Sequence, residues 1–326
     1  MNIGLKHIRW QYIAFRNPYL FALALLVLAI LVNFIFQPNL FQRSILNSNM
    51  RVFLPLILVA SGQAVVILGG GIDISVGSIV SIVNALLATQ LGPAASAEKT
   101  ALMLVAVLFV GMAAGAVNGF FTSILRLQPI ITTYATSFLF AGIALFILPS
   151  PGGGVPGGIS TFYRETTPLG LPLSLYVIPV ILIAWYLVRQ TRYGGYLYAV
   201  GGKADAAYET AVPVNAVQFS TYVISGLMSA IGGIALTLLV GSGNATTGDQ
   251  LTLTSITAVV IGGTALRGGV GGVAGAVIGA IVLRLLQNII SFANVSTWWQ
   301  TFVNAAIIVL ALAAPGLFGL FRRKRL

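Results

Sequence analysis

The sequence predicts an all-α polytopic membrane protein, and three observations carry that reading. Of 326 residues, 58% are apolar and only 7% are Asp, Glu, Lys or Arg, against about 25% in an ordinary soluble domain. Charge-free stretches such as 52–72, 74–97, 100–125, 127–163, 210–248 and 285–321 each hold one or two helices of about 20 residues, the length a bilayer core demands. The charges that remain fall mostly at the ends of these stretches. Ten spans follow, at 19–36, 52–69, 75–91, 101–124, 129–148, 171–188, 214–240, 251–266, 271–292 and 298–315. They form one transmembrane domain, 1–326, with little chain left for a separate soluble unit.

Orientation comes from the basic residues. With the N-terminus in the cytoplasm, Lys6, Arg9, Arg16, Arg126, Arg189, Arg192, Lys203, Arg267, Arg322, Arg323, Lys324 and Arg325 lie inside. Arg43, Arg51, Lys99 and Arg164 lie outside, and Arg284 falls within a span. That bias places both termini in the cytoplasm and explains the net charge of +11 by topology, without nucleic acid. Residues 19–36 run too long for a secretory signal and no small-residue cleavage site follows, so they read as a retained first span. Before them, within 1–18, Lys6, His7 and Arg9 interleave with Ile8, Trp10 and Ile13, the pattern of a short interfacial helix with His7 on its surface. Residues 319–326 form a basic cytoplasmic tail. The chain has no cysteine, hence no disulfide framework and no thiolate site.

Glycine numbers 37, above its usual share of about 7%. Gly111, Gly115 and Gly119 lie four apart, as do Gly271, Gly275 and Gly279, a spacing that lets helix backbones approach inside lipid. GMAAGAVNG and GGVAGAVIG stand 160 residues apart, and Ser61-Gly62 is echoed by Ser225-Gly226. Five spans separate each pair, which would invert the second copy. An inverted five-plus-five repeat, a common transporter plan, is the resulting expectation.

Two connections are long. Residues 149–170 fall outside, lack helical periodicity and read as an external loop. Gly152, Gly154 and Gly157 within them match a dinucleotide fingerprint, but no strand precedes and no helix follows. Residues 189–213 form a cytoplasmic loop with a short helical pattern from Ala204 to Ala211, either a solvated connector or a contact for a cytoplasmic motor.

Inside the membrane, GGGIDISVGS (Gly69 to Ser78) breaks the second span and sets Asp73 beside Ser75 and Ser78. Irregular backbone at that depth must be buried in protein or line water. Asp73 either caps the following helix or contacts solute or ion; Gly69, Gly70, Gly71 and Gly77 shape the break. Arg284 lies too deep to snorkel easily, so Asp73, backbone carbonyls or the outer vestibule are its candidate partners. Gln63, Asn84, Asn118, Thr132, Thr133, Asn288 and Asn304 are uncharged polar groups at depth, suited to helix packing or to a neutral hydroxylated solute. No phosphate-binding loop, His/Cys cluster or carboxylate pair occurs, so metal chemistry and self-driven ATP hydrolysis have no residues here. A secondary carrier using Asp73 and Arg284, or a membrane scaffold, remains an alternative to uptake powered by a partner.

GGGIDISVGS, Asn118-Gly119, QPIITTYAT (Gln128 to Thr136) and VVIGGTALRGGVGGVAGAVIGA (Val259 to Ala280) resemble the monosaccharide ABC permease family, the ribose, xylose, arabinose and galactoside importers. The similarity covers nearly the whole chain in order. It implies a dimer of ten-span permeases in a bacterial cytoplasmic membrane, two cytoplasmic ATPase subunits that hold ATP and Mg, and a periplasmic or lipid-anchored sugar-binding protein. The chain itself would be no enzyme and carry no cofactor. The segment Thr191 to Val214 is similar to the family segment whose helix docks in the ATPase, which assigns coupling to Lys203, Ala204, Asp205, Ala207, Tyr208, Glu209 and Ala211. Gly195 stands where Arg is usual, Lys203 where Asn is usual, Ala211-Val212 near the usual Gly-Ile, and the acidic pair common before the A-V-V-I-G-G-T run is missing. These departures suggest a heterodimer with a more regular second permease, with a homodimer as the alternative.

Overall fold

The computed structural model describes residues 19–293, together with Trp299, Phe302, Ala305, Ala306 and Val309. The interfacial helix with His7, most of the tenth span with Asn304, and the basic tail lie outside the described residues. Among the described residues, twelve α-helices follow one another: α1 Tyr19–Phe36, α2 Arg43–Leu68, α3 Val76–Gln90, α4 Ala97–Gly119, α5 Pro129–Ile147, α6 Gly157–Glu165, α7 Leu173–Gln190, α8 Arg192–Gly202, α9 Ala204–Glu209, α10 Val214–Val240, α11 Asp249–Ile261 and α12 Val273–Phe292. A π turn, Phe120–Ile124, extends α4. Seven of these, α1, α2, α4, α5, α7, α10 and α12, are long and apolar enough to cross a bilayer. The chain is a multi-pass membrane protein.

α3 and α11 correct the expectation of full spans at 75–91 and 251–266. They have 15 and 13 residues, about 22 and 20 Å at 1.5 Å per residue, short of a core about 30 Å thick. Each is a half-span fed by a re-entrant segment, 69–75 or 241–248. α6 also corrects the reading of 149–170 as irregular. Gly157 and Gly158 hid its pattern, but tertiary contacts hold it: Ser160 Oγ donates to the Leu238 carbonyl at 2.7 Å and Tyr163 Oη to that of Arg51 at 2.9 Å. Likewise 189–213 holds two helices where one was expected. α8 carries four glycines, yet Leu197 and Val200 are buried and Gly201 lies against the Leu68 carbonyl, so packing overrides propensity.

α2 runs from the α6 end of the bundle to the α8–α9 end, and α10 returns. α10 packs on α4 and α3, α2 packs on α12 and α11, and α2 also meets α10 as α3 meets α11. That reciprocity is what two inverted halves require. The register, however, is not the one read from the glycine motifs. Gly70-Gly71-Ile72-Asp73-Ile74-Ser75-Val76-Gly77 corresponds to Gly241-Ser242-Gly243-Asn244-Ala245-Thr246-Thr247-Gly248, an offset of 171 residues. Gly70 and Gly241 both take left-handed φ, 85° and 79°, just beyond α2 and α10. Gly92 and Gly263, at the same offset, do so beyond α3 and α11, with φ of 64° and 84°. The zippers are not equivalent. Gly111, Gly115 and Gly119 pack on Phe219, Tyr222, Gly226 and Ala230 of α10, whereas Gly275 and Gly279 pack on Ala258 and Gly262 of α11. Gly271 precedes its helix, against Thr264.

Candidate functional site

The first re-entrant segment closes on Asp73, which is wholly buried. α2 ends at Gly69, and the Gly71 N–H returns to the Val66 carbonyl at 3.0 Å, which turns the chain back along α2. Asp73 Oδ1 then accepts from the Ser75 N–H at 2.9 Å and from Ser75 Oγ at 2.7 Å. This is the turn by which Asp starts a new helix, here α3. Four neighbouring helices hold the segment. From α10, Ser225 Oγ donates to Asp73 Oδ2 at 2.9 Å; from α4, Asn118 Nδ2 donates to Ser75 Oγ at 2.7 Å and to Asp73 Oδ1 at 3.4 Å. On α5, Thr133 Oγ1 accepts from the Ile74 N–H and donates to the Ile72 or Pro129 carbonyl, and Thr136 Oγ1 donates to Asn118 Oδ1 at 2.6 Å. The Gln63 carboxamide of α2, oriented to satisfy both its ends, donates to the Asp73 carbonyl at 3.0 Å and accepts from its N–H at 3.2 Å.

Gln63, Asp73, Ser75, Asn118 and Thr133 therefore meet in one buried network. Ser225 and Thr136 complete it and were not singled out from sequence. Ser78 is buried in the first turn of α3, and Gly77 touches Gly248 at the start of α11, where its N–H donates to Thr252 Oγ1 at 3.2 Å.

Between this network and the α8–α9 end lies a cavity of about 640 Å³, within the roughly 300–1,000 Å³ of small-molecule sites. Gly69, Gly70 and Gly71 line it, with Tyr222, Thr122, Gln128, Asn215 and Gln218 as polar walls and Arg126, Asp205, Tyr208 and Glu209 also contributing. Asp73 does not line it. The π turn ends at Ile124, and Arg126, two residues on, takes a left-handed φ of 55°.

α9 exposes Lys203, Asp205, Tyr208 and Glu209 and buries Ala207. The helical pattern expected to reach Ala211 stops at Glu209: the Val212 N–H bonds to the Ala207 carbonyl at 3.1 Å and Ala211 sits at φ 61°. That is a C-cap geometry that favours glycine, the residue usual at this point.

Arg284 does not meet Asp73; among the described residues no ion pair joins them. Its Nη1 donates to Gln287 Oε1 at 2.9 Å and its Nε is buried without a hydrogen bond. Asn288 Nδ2 donates to Asn49 Oδ1 at 3.3 Å, and Thr132 is buried on α5. Asn84 belongs to the second re-entrant segment. It donates to Thr237 Oγ1 and to the Ser242 carbonyl and accepts from the Asn244 N–H at 2.7 Å.

Residues 45–312 match a family model described as "Branched-chain amino acid transport system / permease component". The chain is 34% identical over 298 residues to a ribose import permease protein of Escherichia coli K12, covering 89% of this chain and 91% of the relative. A ribose import permease protein of Bacillus subtilis 168 is 33% identical over 294 residues, 89% of this chain and 90% of the relative. A galactose/methyl galactoside import permease protein of E. coli K12 is 31% identical over 278 residues, 80% and 83% of the two chains. No solved structure matches. A bundle with paired re-entrant segments, a cavity toward one end and these relatives along nearly its full length agree, and the chain belongs to this family of transport-system permeases.

Proposed function

We propose that the chain is the membrane subunit of an ABC importer for a monosaccharide or a related polyol or furanosyl solute. The carrying observation is the cavity that reaches from the α8–α9 end to the Gly69–Gly71 turn and stops at the Asp73 network. Its walls offer amides, hydroxyls and backbone groups, with Arg126, Asp205 and Glu209 also contributing, and such neutral donors and acceptors suit a polyhydroxylated solute. With the α8–α9 end in the cytoplasm, as the basic residues direct, this cavity opens inward. Both termini are then cytoplasmic, in a bacterial inner membrane.

A periplasmic or lipid-anchored binding protein delivers the solute to the α6 end. A partner ATPase, holding ATP and Mg, engages α9 through Lys203, Asp205, Tyr208 and Glu209. Asp73 organises the break and does not touch solute; its carboxylate is filled by Ser75, Asn118 and Ser225. The departures at Gly195, Lys203 and Ala211 support a heterodimer with a second permease. A secondary carrier built on Asp73 and Arg284 loses its basis, since the two do not pair.

Reconstitution into proteoliposomes with the ATPase and binding protein tests the reading. ATP inside should drive uptake of D-ribose or D-galactose that depends on the binding protein. Uptake driven by a proton gradient alone would refute it. Turnover stimulated by sugar with this permease as the sole one would refute the heterodimer.

A further inference from the structure

The two equivalent re-entrant segments differ in what surrounds them. In 69–75, Asp73 and Ser75 are buried under four helices. In 241–248, the same turn is built by Asn244, whose Oδ1 accepts from the Thr246 N–H at 3.0 Å and from Thr246 Oγ1 at 2.9 Å, yet Ser242, Asn244 and Thr246 are exposed. Gly243 and Ala245 between them face inward. The chain is pinned on both sides at Ser242–Asn244 and then turns, the Thr247 N–H bonding to the Asn244 carbonyl at 3.1 Å and the Asp249 N–H to that of Thr246 at 3.2 Å. Gly243 pairs with Gly152 through two backbone bonds, 3.0 and 2.9 Å, and Asn84 of α3 holds the Ser242 carbonyl and the Asn244 N–H.

The segment descends from the α6 end, beside Ala88 near the end of α3, to Gly248 beside Gly77 at the start of α3. It covers the length of a half-span. Backbone without helical hydrogen bonds is tolerated at such depth only where protein buries it or water reaches it. Protein buries Asp73 and Ser75 of the first segment, and its Gly69–Gly71 turn lines the cavity. The second leaves the Ser242 hydroxyl and the Asn244 Nδ2 amide without a hydrogen bond among the described residues; the Asp249 carboxylate at the start of α11 has none there either, and all three residues are exposed.

We infer that Ser242, Asn244, Thr246 and Asp249 form the solute-contacting wall of the half of the pathway that opens at the α6 end, and that they bind a polyhydroxylated solute through its hydroxyl groups. These four residues present a hydroxyl, an amide donor, a second hydroxyl and a carboxylate acceptor on one exposed stretch of chain that ends in the first turn of α11. Sugar hydroxyls both donate and accept, and a carboxylate gives the stronger, charge-assisted bonds. The rigid Asn84 clamp fixes the spacing of the strip, so the selectivity of this half resides in its side chains. This proposal rests on the importer reading above.

The chain has no cysteine, so single cysteines can be placed without background. Ser242→Cys, Thr246→Cys, Ser75→Cys in the buried turn and Ile183→Cys on the exposed middle of α7 are compared in the reconstituted complex, with a charged, membrane-impermeant methanethiosulfonate reagent as probe. Ser242→Cys and Thr246→Cys should react at least about tenfold faster than the other two, because only a thiol in water ionises readily. Modified Thr246→Cys should lose ATP-driven uptake of D-ribose or D-galactose, and those sugars should slow its modification. Reaction no faster than at Ile183 overturns the proposal, as does full modification with uptake intact. Protection by L-leucine and by no sugar overturns the solute class. A complex that transports neither sugar refutes the importer reading alone, because the reaction rates still decide whether the strip faces water.

Discussion

At the residue scale, Asp73 shows why one carboxylate can be indispensable without meeting solute. Its two oxygens satisfy the Ser75 N–H and the side chains of Ser75, Asn118 and Ser225. Asp73→Leu orphans these groups at about 1–3 kcal/mol each, and the complex should fail to accumulate. Asp73→Asn keeps an oxygen where Oδ1 stands and needs only a rotation of the Ser225 hydroxyl; Asn244 already makes the same turn. Its loss should be near 1 kcal/mol by thermal unfolding in detergent. Equal stability of the two variants would show that the network is not what holds α3. Ala211 makes the opposite prediction: at φ 61°, Ala211→Gly should stabilise the end of α9 by about 1 kcal/mol, read in the same assay. The members carrying carboxylate or amide, and Thr133 within its motif, were legible in the sequence, because such groups at depth demand partners. Ser225 and Thr136 were not, since a hydroxyl in a helix ordinarily bonds its own backbone and signals nothing.

At the element scale, the helices were legible from apolar length, and their ends from glycine, proline and charge. The half-spans were not, because 15 or 13 apolar residues with flanks look like a short full span; only the turn backward reveals them. The zippers were legible as packing faces but misled about kinship, since spacing of four says that something lies close without saying what. Their chemistry separates two substitutions of the same kind. A Cβ at Gly115 of α4 would strike the Tyr222 backbone, and Gly115→Ala should cost about 1–3 kcal/mol by pushing α4 from α10. At Gly142 of α5 nothing stands within 4 Å of the added carbon, so Gly142→Ala should be neutral or stabilising by up to about 1 kcal/mol. Thermal unfolding of both variants checks the contrast.

At the scale of the whole molecule, the correspondence between the two re-entrant turns lies in G-x-x-[DN]-x-[ST]-x-G and not in the glycine runs that suggested a repeat. Turn chemistry survives divergence where packing partners change. α9 carries the coupling prediction. Asp205 and Glu209 are exposed, so changing either to Lys should leave stability within about 0.5 kcal/mol while ATP-driven uptake falls sharply. A loss of folding would instead make α9 structural. The repeat also has a consequence for direction. Two halves related by a two-fold axis in the membrane plane look alike from either side, and such an object has no reason to move cargo one way. α1 and α7 end 154 residues apart, at Phe36 and Gln190, while α2 and α10 begin 171 apart, at Arg43 and Val214. The difference is the stretch occupied by α8 and α9, present in one half alone. That insertion gives the molecule a front and a back, and a one-sided energy source somewhere to push.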